Sequence, residues 1–509
     1  MPSQVADQGA DPTSPAASSA STPSPPPSPQ ARLLSKIKAG MAQAELGNAA
    51  TAAPLSPVST WVPGRAYVQG DVVRGQGVDA SHQYICHDAV GPSAVSGAGP
   101  SGMGDGPISD GGVTWYYDRE VRTAVVDALT PVVSWGLRAD LLKGLPDFQT
   151  ITPTLAEPVV FYSGGVVEQD PNMLTPVVTV RGSNYSTLAQ PRYQYPSSAA
   201  MTFWTDSDQV VLGSFNAVYA RQTLVLEVND RLVDDSQFAV PPGMAPINPG
   251  GFLLDFSQGG SKGQTKKVRV LSSDGFAISA YQLFIEKNAR IWSQANPNRW
   301  RMAVEGDSLT QGGYNTPYHA GLDWVSQIGR LLGCDDVANM AQGGTGFISN
   351  NVGRKTTYLQ RVERLAALNA DVYVIAGNHN DSSYPAQDQI DAVLKYFKKL
   401  RQLQPDALVV VMGDTPLQGE SSLSGPLHDA EVNLKKAFDQ WADDHAYFIP
   451  VATDPNGLWI TGSGSVDHPK GDGNMDHYYI SIDGHPLQRG VNYLAQRYAQ
   501  ALKRLFLSL

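Results

Sequence analysis

The hydrophobic pattern of this chain changes its period near Trp300. Before that point, short runs that alternate apolar and polar residues, such as QTLVLEVNDRLV, are separated by Gly, Asp, Asn and Ser. This pattern is typical of antiparallel strands with one buried face. After Trp300, compact apolar runs (RMAVEG, DVANMA, DVYVIAG, ALVVVMGD) alternate with helical patterns. That alternation predicts a parallel sheet covered on both faces, in which sites form at the carboxyl ends of the strands.

Four segments follow from these changes of pattern. Residues 1–57 are rich in Ala, Ser and Pro, and we expect a disordered arm with at most one short helix in ARLLSKIKAGMAQAELG. Residues 58–118 alternate aromatic and turn residues, which predicts a small β module. Residues 119–297 are predicted to form a β-sandwich of jelly-roll type. Residues 298–509 carry the strand–helix alternation, so the predicted fold class is multidomain, with two β domains followed by a three-layer α/β domain.

The composition excludes several classes of partner. The formal net charge is −11, whereas nucleic-acid binding needs a clustered basic face. No apolar stretch approaches the roughly 18 residues of a membrane span. The two cysteines, Cys86 and Cys334, fall in different predicted domains and form neither a disulfide framework nor a zinc knuckle. The N-terminal residues lack the pattern of a Sec-type signal peptide. Secretion by that route is therefore not expected, although a virion or a dedicated export system needs no such signal. We expect an extracellular or virion-associated protein, and leave open a cytoplasmic location and assembly on a virion or into a homo-oligomer.

One short segment places a serine at the end of the first predicted parallel strand. Ser308 follows RMAVEGD and has glycines close on either side. A serine hydroxyl is a weak nucleophile, which needs a base, a group that orients the base, and donors for the developing oxyanion. The loops after other strands carry such groups: glycines in ANMAQGGTGF, asparagines in IAGNHND, and an Asp and a His in SIDGHPLQRG. Turn chemistry alone also favours Gly, Asp and Ser at one such point, so the inference depends on the whole set.

This ordered set resembles the SGNH (GDSL) hydrolase superfamily after about residue 300. GDSLTQG matches its nucleophile block, NMAQGG its glycine block, HND its asparagine block and DGHPLQRG its Asp/His block. The resemblance implies a catalytic triad of Ser308, His485 and Asp483. It also implies an oxyanion hole formed by three groups, namely the backbone N–H groups of Ser308 and Gly344 and the side-chain amide of Asn380. It implies no cofactor, and the spacing in DHPKGDGNMDH matches no metal-ligand pattern.

Two departures from the family pattern affect individual residues. The family has a glycine two residues before its asparagine, and Asn378 occupies that position here. The spacing from Asp371 favours Asn380 over Asn378 as the oxyanion donor. The family's acid lies three residues before the histidine, whereas Asp483 lies two residues before His485. Asp483 is therefore expected to orient the imidazole imperfectly, or to share that role with a backbone carbonyl.

The order of domains resembles two-domain carbohydrate esterases, in which a jelly roll precedes an SGNH domain. Residues 58–118 resemble small chitin-binding-like modules and repeats of phage tail proteins, and Trp61, Tyr67 and Trp115 are the candidate sugar-binding aromatics. In so small a domain most aromatic rings must build the core. These resemblances imply a serine esterase that removes O-acetyl groups from a polysaccharide, with a module that binds the polymer at a distance from the chemistry. The alternatives are a lipase or arylesterase acting on small or lipidic acyl esters, and a glycan-binding tail or adhesin protein with a non-catalytic hydrolase scaffold.

Overall fold

The structure is a computed structural model that describes most of the chain in segments. The described residues are 28–48, 60–68, 71–79, 82–103, 106–120, 131–145, 147–153, 159–169, 178–181, 184–185, 192–193, 198–214, 224–229, 231–232, 250–257, 262–272, 280–294, 296, 299–311, 323–351, 355–377, 379–421, 424–482 and 484–509. Among the helices of these segments, none has both the length and the apolarity that crossing a membrane requires.

The N-terminal module contains a four-stranded antiparallel sheet. Its strands are β1 (Val72–Arg74), β2 (His82–Ala89), β3 (Ile108–Asp110) and β4 (Val113–Glu120), in the order β1–β2–β4–β3. One face of the sheet packs on a small aromatic core that includes Trp61, Tyr67, Tyr84 and Trp115. Because the sheet is so small, its largest side chains have to provide this core.

The middle of the chain forms two antiparallel sheets that enclose a common core. The elements are β5 (Val132–Leu137), α2 (Arg138–Leu142), β6 (Phe148–Ile151), β7 (Phe161–Ser163), β8 (Val166–Gln169), β9 (Val178–Arg181), β10 (Asn184–Tyr185), β11 (Arg192–Tyr193), β12 (Ala200–Thr205), β13 (Gln209–Ser214), β14 (Leu224–Val228), β15 (Arg231–Leu232), β16 (Gly250–Asp255), β17 (Lys266–Ser272), β18 (Ala280–Glu286) and β19 (Ile291–Trp292). One sheet has the order β5–β16–β13–β18–β6, and the other the order β15–β14–β17–β12–β19 with β7 also paired to β12. Alternate apolar residues from both sheets, for example Leu212 and Phe203, fill the space between them.

The C-terminal part is a five-stranded parallel sheet with helices on both faces. Its elements are β20 (Arg301–Glu305), α3 (Ser308–Gln311), α4 (Trp324–Leu332), β21 (Asp336–Asn339), α5 (Tyr358–Ala366), β22 (Val372–Ala376), α6 (Ala386–Leu403), β23 (Leu408–Met412), α7 (Pro426–Trp441), β24 (Ala446–Ile449), α8 (Met475–Tyr478) and α9 (Gln488–Ser508). The strand order is β21–β20–β22–β23–β24. Met302 and Val304 pack toward α4 and α9, whereas Ala303 packs toward α5 and α6. Both faces are therefore buried, which explains why these strands are continuous apolar runs.

A 20-residue helix, α1 (Pro29–Asn48), lies within the segment that we expected to be a disordered arm. Its residues Ile37 and Met41 are buried in the same core as Trp300, on the face of the C-terminal α/β domain formed by α4 and α9. The helix passes close to the end of α4, because a Cβ atom on Gly333 would lie 2.0 Å from the carbonyl oxygen of Gly40. The helix includes the segment ARLLSKIKAGMAQAELG, in which the sequence allowed one short helix, and its apolar residues pack on a surface formed elsewhere in the chain. Residues 1–27 and 49–57 of the predicted arm lie outside the described residues.

The sandwich covers one edge of the parallel sheet. β21 is an edge strand, and the backbone N–H of Asn339 at its end donates to the Ser198 hydroxyl at 2.8 Å. That hydroxyl donates in turn to the carbonyl of Gly164, 3.0 Å away. The guanidinium carbon of Arg299 lies 3.5 Å from the centroid of the Phe161 ring. An uncovered edge strand is a site for unwanted pairing with other chains, so this packing both joins the domains and protects the sheet.

Candidate active site

Ser308 and His485 meet at the carboxyl edge of the parallel sheet. Ser308 is the first residue of α3, three residues after the end of β20, and His485 lies in the loop just before α9. The Nε2 atom of His485 is 2.9 Å from the Oγ atom of Ser308, within hydrogen-bond distance. Both residues are buried, each with 7% of its surface exposed. A serine hydroxyl in contact with an imidazole is the pairing that nucleophilic catalysis by serine needs.

Asp307 braces the turn that presents Ser308. One of its carboxylate oxygens accepts a hydrogen bond from the backbone N–H of Leu309 at 2.9 Å, which closes the turn into α3. The other accepts from the side-chain amide of Asn380 at 3.1 Å. Burial raises the pKa of Asp307, and the nearby His379 is the largest of the influences that oppose this rise. Asp307 thus links the nucleophile turn to the loop after β22.

The glycine loop after β21 lies directly against Ser308. A Cβ atom on Gly343 would be 3.2 Å from the Cβ atom of Ser308, and the Gly343 N–H donates to the Gln311 side chain at 2.6 Å. Gly344 follows with a φ of +72°, a left-handed conformation that residues with a Cβ atom adopt at a cost. The structure therefore places Gly344 in a loop that adjoins Ser308, where the family resemblance implies an oxyanion donor.

Asn380 lies between the nucleophile turn and the glycine loop. It belongs to a 3₁₀ turn, His379–Asp381, that follows β22. Its amide nitrogen donates to the carboxylate of Asp307 and to the carbonyl of Thr345, both at 3.1 Å. An amide has two N–H donors. To act on a substrate oxygen, Asn380 would have to exchange or share one of these two partners.

Asp381 fastens the glycine loop to the turn that carries Asn380. Its buried carboxylate accepts hydrogen bonds from the backbone N–H groups of Phe347 at 2.7 Å and Ser349 at 2.8 Å, with a longer contact from Ile348 at 3.3 Å. A Cβ atom on Gly346 would lie 2.4 Å from this carboxylate, so only glycine fits there without movement. Burial raises the pKa of Asp381, although these backbone hydrogen bonds oppose the rise.

A buried ion pair beneath the site connects the turn before Ser308 with the glycine loop. The Arg361 guanidinium donates twice to one oxygen of Glu305, from Nη2 at 2.7 Å and from Nε at 3.0 Å. It also donates to the carbonyl of Gly306 and to the hydroxyl of Thr345, both at 3.0 Å. The two charged side chains are only 1% and 0% exposed. Burial raises the pKa of Glu305, and attraction to Arg361 opposes that rise.

The sequence motifs do not single out Glu305, Arg361 or Asp381, although each left a signal. Glu305 is a charged residue at the end of an otherwise apolar strand. Arg361 falls on the buried face of α5 together with Tyr358 and Leu365, where a charge requires a partner. Asp381 directly follows the predicted asparagine donor. In each case the sequence reveals an unusual position but not the partner.

Two predicted residues, Asp483 and Asn378, lie outside the described residues, so the structure assigns them no place. Within the described segments, no group of three or more His, Cys, Asp or Glu side chains is arranged to hold a metal ion. Cys86 and Cys334 are both buried and form no disulfide.

The prediction that Trp61, Tyr67 and Trp115 bind sugar is wrong for this structure. Their exposed fractions are 1%, 5% and 0%, so none presents a ring face to solvent. Both indole N–H groups donate to one carboxylate oxygen of Asp110, at 2.7 Å for Trp61 and 2.9 Å for Trp115. The Tyr67 hydroxyl accepts from the backbone N–H of Val62 at 2.8 Å. These rings form the core of the module together with Tyr84, because a sheet of four short strands needs its largest side chains to fill the core.

Comparison with known proteins gives one family match. Residues 304–490 match the GDSL-like Lipase/Acylhydrolase family. A search of curated proteins found no match.

Several solved structures resemble the chain at low sequence identity. A family two carbohydrate esterase from Cellvibrio japonicus is 12% identical, with 70% of this chain and 98% of that chain covered and a TM-score of 0.49. A salicylyl-acyltransferase from a tetracycline biosynthetic pathway is 15% identical, with 70% and 97% covered and a TM-score of 0.48. A family two carbohydrate esterase from Clostridium thermocellum in complex with cellohexaose is 13% identical, with 69% and 100% covered and a TM-score of 0.44.

The matched residues begin within β20 and extend into α9, so they include Ser308, the glycine loop, Asn380 and His485. Residues 304–490 of this chain form a domain of the GDSL-like lipase/acylhydrolase family.

Proposed function

We propose that the C-terminal domain is a serine esterase that hydrolyses acyl esters, with Ser308 as the nucleophile and His485 as the general base. The observation that carries this proposal is the 2.9 Å contact between Ser308 Oγ and His485 Nε2 at the carboxyl edge of the sheet. It is supported by the match of residues 304–490 to a hydrolase family. The burial of both residues also supports it, because a water-excluded site strengthens the electrostatic interactions that catalysis uses.

In the proposed reaction, Ser308 Oγ attacks the carbonyl carbon of the ester while its proton passes to His485 Nε2. The carbonyl oxygen becomes an oxyanion, which accepts hydrogen bonds from the N–H groups of Ser308 and Gly344 and from the Asn380 amide. The bond to the alcohol then breaks, and the alcohol takes the proton from His485. Water attacks the acyl-serine by the same route in reverse, which releases the acid and restores the hydroxyl. Asp483 is the proposed partner that orients the imidazole, as the family resemblance implies.

We further propose that the substrate is an O-acetyl group on a polysaccharide. The support is the order of the domains: a β module and a two-sheet β domain precede the hydrolase domain, and the two-sheet domain contacts it directly at β21. The alternative substrate is a small or lipidic acyl ester. The assay below separates these substrates.

The experiment is a comparison of acetate release from acetylated glycans with hydrolysis of p-nitrophenyl esters of increasing chain length. Ser308→Ala should lower kcat by about 10⁴-fold or more, because removal of a triad nucleophile leaves only binding and the oxyanion hole. Ser508→Ala, which alters an exposed serine at the end of α9, is the matched control. Turnover of more than a few per cent in a folded Ser308→Ala protein would exclude Ser308 as the nucleophile. A preference for long acyl chains would indicate a lipase, and glycan binding without any hydrolysis would indicate a non-catalytic scaffold.

A further inference from the structure

The N-terminal module packs against the part of the hydrolase domain that carries His485. Ile85 on β2 and Tyr116 on β4 form one buried cluster with Val466, Ile480 and Leu487 of the hydrolase domain. The central members are fully enclosed, since Ile85 is 1% exposed and Leu487 is 0% exposed. Leu487 lies two residues after His485, so this cluster adjoins the proposed general base along the chain.

A polar contact reinforces the cluster a short distance away. The Nε2 atom of His87, on β2, lies 2.9 Å from a carboxylate oxygen of Asp467. The side chain of Asp467 is fully buried, and its carboxylate accepts hydrogen bonds from both the backbone N–H, at 3.0 Å, and the hydroxyl of Ser481. Burial would raise the pKa of Asp467, but hydrogen bonds, of which the one from the Ser481 hydroxyl is the largest influence, outweigh it and hold the pKa below its ordinary value. The module therefore reaches Ser481, four residues before His485, through one carboxylate.

The hydrolase domain itself holds the same segment at two other points. The Gln418 N–H donates to the Gly484 carbonyl at 2.9 Å, and the Leu487 N–H donates to the Tyr478 carbonyl at 2.7 Å. These backbone bonds fix the ends of the short loop around His485. The side chains of Ile480 and Leu487 on its other side find their apolar partners in the module. Without the module these side chains would lose the contacts with Ile85 and Tyr116 that enclose them.

We propose that the N-terminal module is a positioning element of the hydrolase site: Ile85, Tyr116 and His87 hold residues 480–487 so that His485 stays within hydrogen-bond reach of Ser308. This inference rests on the proposed esterase function. It replaces the expectation that the module acts only at a distance from the chemistry. A catalytic group displaced by about 1 Å can lose about 10²-fold in rate, so support of this loop matters for turnover.

The test uses the full-length protein with Ile85→Ala and His87→Ala, and with Val90→Ala as the control. Val90 lies in the same module and is 88% exposed. For p-nitrophenyl acetate, Ile85→Ala should lower kcat about tenfold with little change in KM, because the base is misplaced while the substrate still binds. His87→Ala should lower kcat less. In both variants a fluorophosphonate should label Ser308 more slowly, and amide hydrogen exchange in residues 480–487 should become faster.

The possible results separate the positioning role of the module from the esterase proposal. Unchanged kcat and exchange in both variants, or an equal loss in Val90→Ala, would overturn the positioning role while leaving the esterase proposal intact. If Ile85→Ala unfolds the module and kcat is nevertheless retained, the positioning role is also overturned; if that variant is insoluble, His87→Ala decides alone. A wild-type protein that hydrolyses no ester and does not react with the fluorophosphonate would overturn both proposals.

Discussion

Replacing Arg361 alone should destabilise the hydrolase domain more than replacing both members of its ion pair. Arg361→Met leaves the Glu305 carboxylate, which has 0% exposure, without the two hydrogen bonds that it receives at 2.7 and 3.0 Å. Removing one partner of a buried ion pair costs about 3–5 kcal/mol, because an uncompensated charge is left behind. The double variant with Glu305→Gln and Arg361→Met leaves no charge and should recover about 2 kcal/mol of that loss.

The loss of stability in Arg361→Met should increase with pH. Burial raises the pKa of Glu305 above its ordinary value, and removing the attraction of Arg361 raises this pKa further. The folded state then binds the proton more tightly than the unfolded state. In Arg361→Met, stability is therefore retained below the ordinary pKa of glutamate, about 4.3, and is lost as the pH rises through the higher pKa of the folded state. The deficit relative to wild type should be larger at about pH 8 than at about pH 5.

Urea unfolding of wild type, Arg361→Met, Glu305→Gln and the double variant at both pH values would measure this. The four free energies form a double-mutant cycle, and the cycle isolates the coupling between the two side chains. Equal losses in Arg361→Met and the double variant at both pH values would refute the reasoning, since the cost would then come only from the hydrogen bonds of Arg361 to neutral groups.

Three further predictions concern the site and its supports. Asn380→Ala should lower kcat for ester hydrolysis by about a hundredfold or more, as loss of an oxyanion donor does, and Asn378→Ala should do less; the reverse order in steady-state assays would assign the donor to Asn378. Gly346→Ala should lower both kcat and the melting temperature, because its Cβ would lie 2.4 Å from the Asp381 carboxylate, and values equal to wild type by enzyme assay and calorimetry would contradict that role. A fragment that begins at residue 300 should aggregate in light-scattering measurements, because it exposes the β21 edge, whereas a soluble monomer would show that the sandwich is dispensable for folding.

The parallel sheet was predictable because its strands are buried on both faces. Residues 372–376 and 408–412 are continuous apolar runs with buried residues throughout. When such runs alternate with helical patterns, few folds other than a parallel sheet between two layers of helices can bury them. The strand order was not predictable from that alternation alone. The helix Pro29–Asn48 lies where the sequence allowed one short helix, but its docking surface was not predictable, because α4 and α9 form that surface from distant parts of the chain.

In the candidate site, too, some residues are predictable from the local sequence, whereas others depend on partners that are distant in the sequence. Motif analysis predicts Ser308, Gly344, Asn380 and His485 because each stands in a short contiguous block of the sequence. Motif analysis does not identify Arg361, because the role of this residue depends on partners that lie on two other elements of the fold. The aromatic residues of the module were misjudged because strand alternation does not tell which ring closes the core and which ring faces solvent.

The contact of α1 with α9 has a consequence for the nascent chain. Ile37 and Met41 lie in the same core as Leu502 and Phe506, so their partner surface, which α4 also forms, is complete only after α9 has been synthesised. At about 5–20 residues per second, the wait is on the order of half a minute to a minute and a half. Throughout that interval the apolar face of α1 has no native partner from α9. Docking of the first helix is therefore among the last steps of assembly, and the emerging N-terminal segment is a natural client for chaperones.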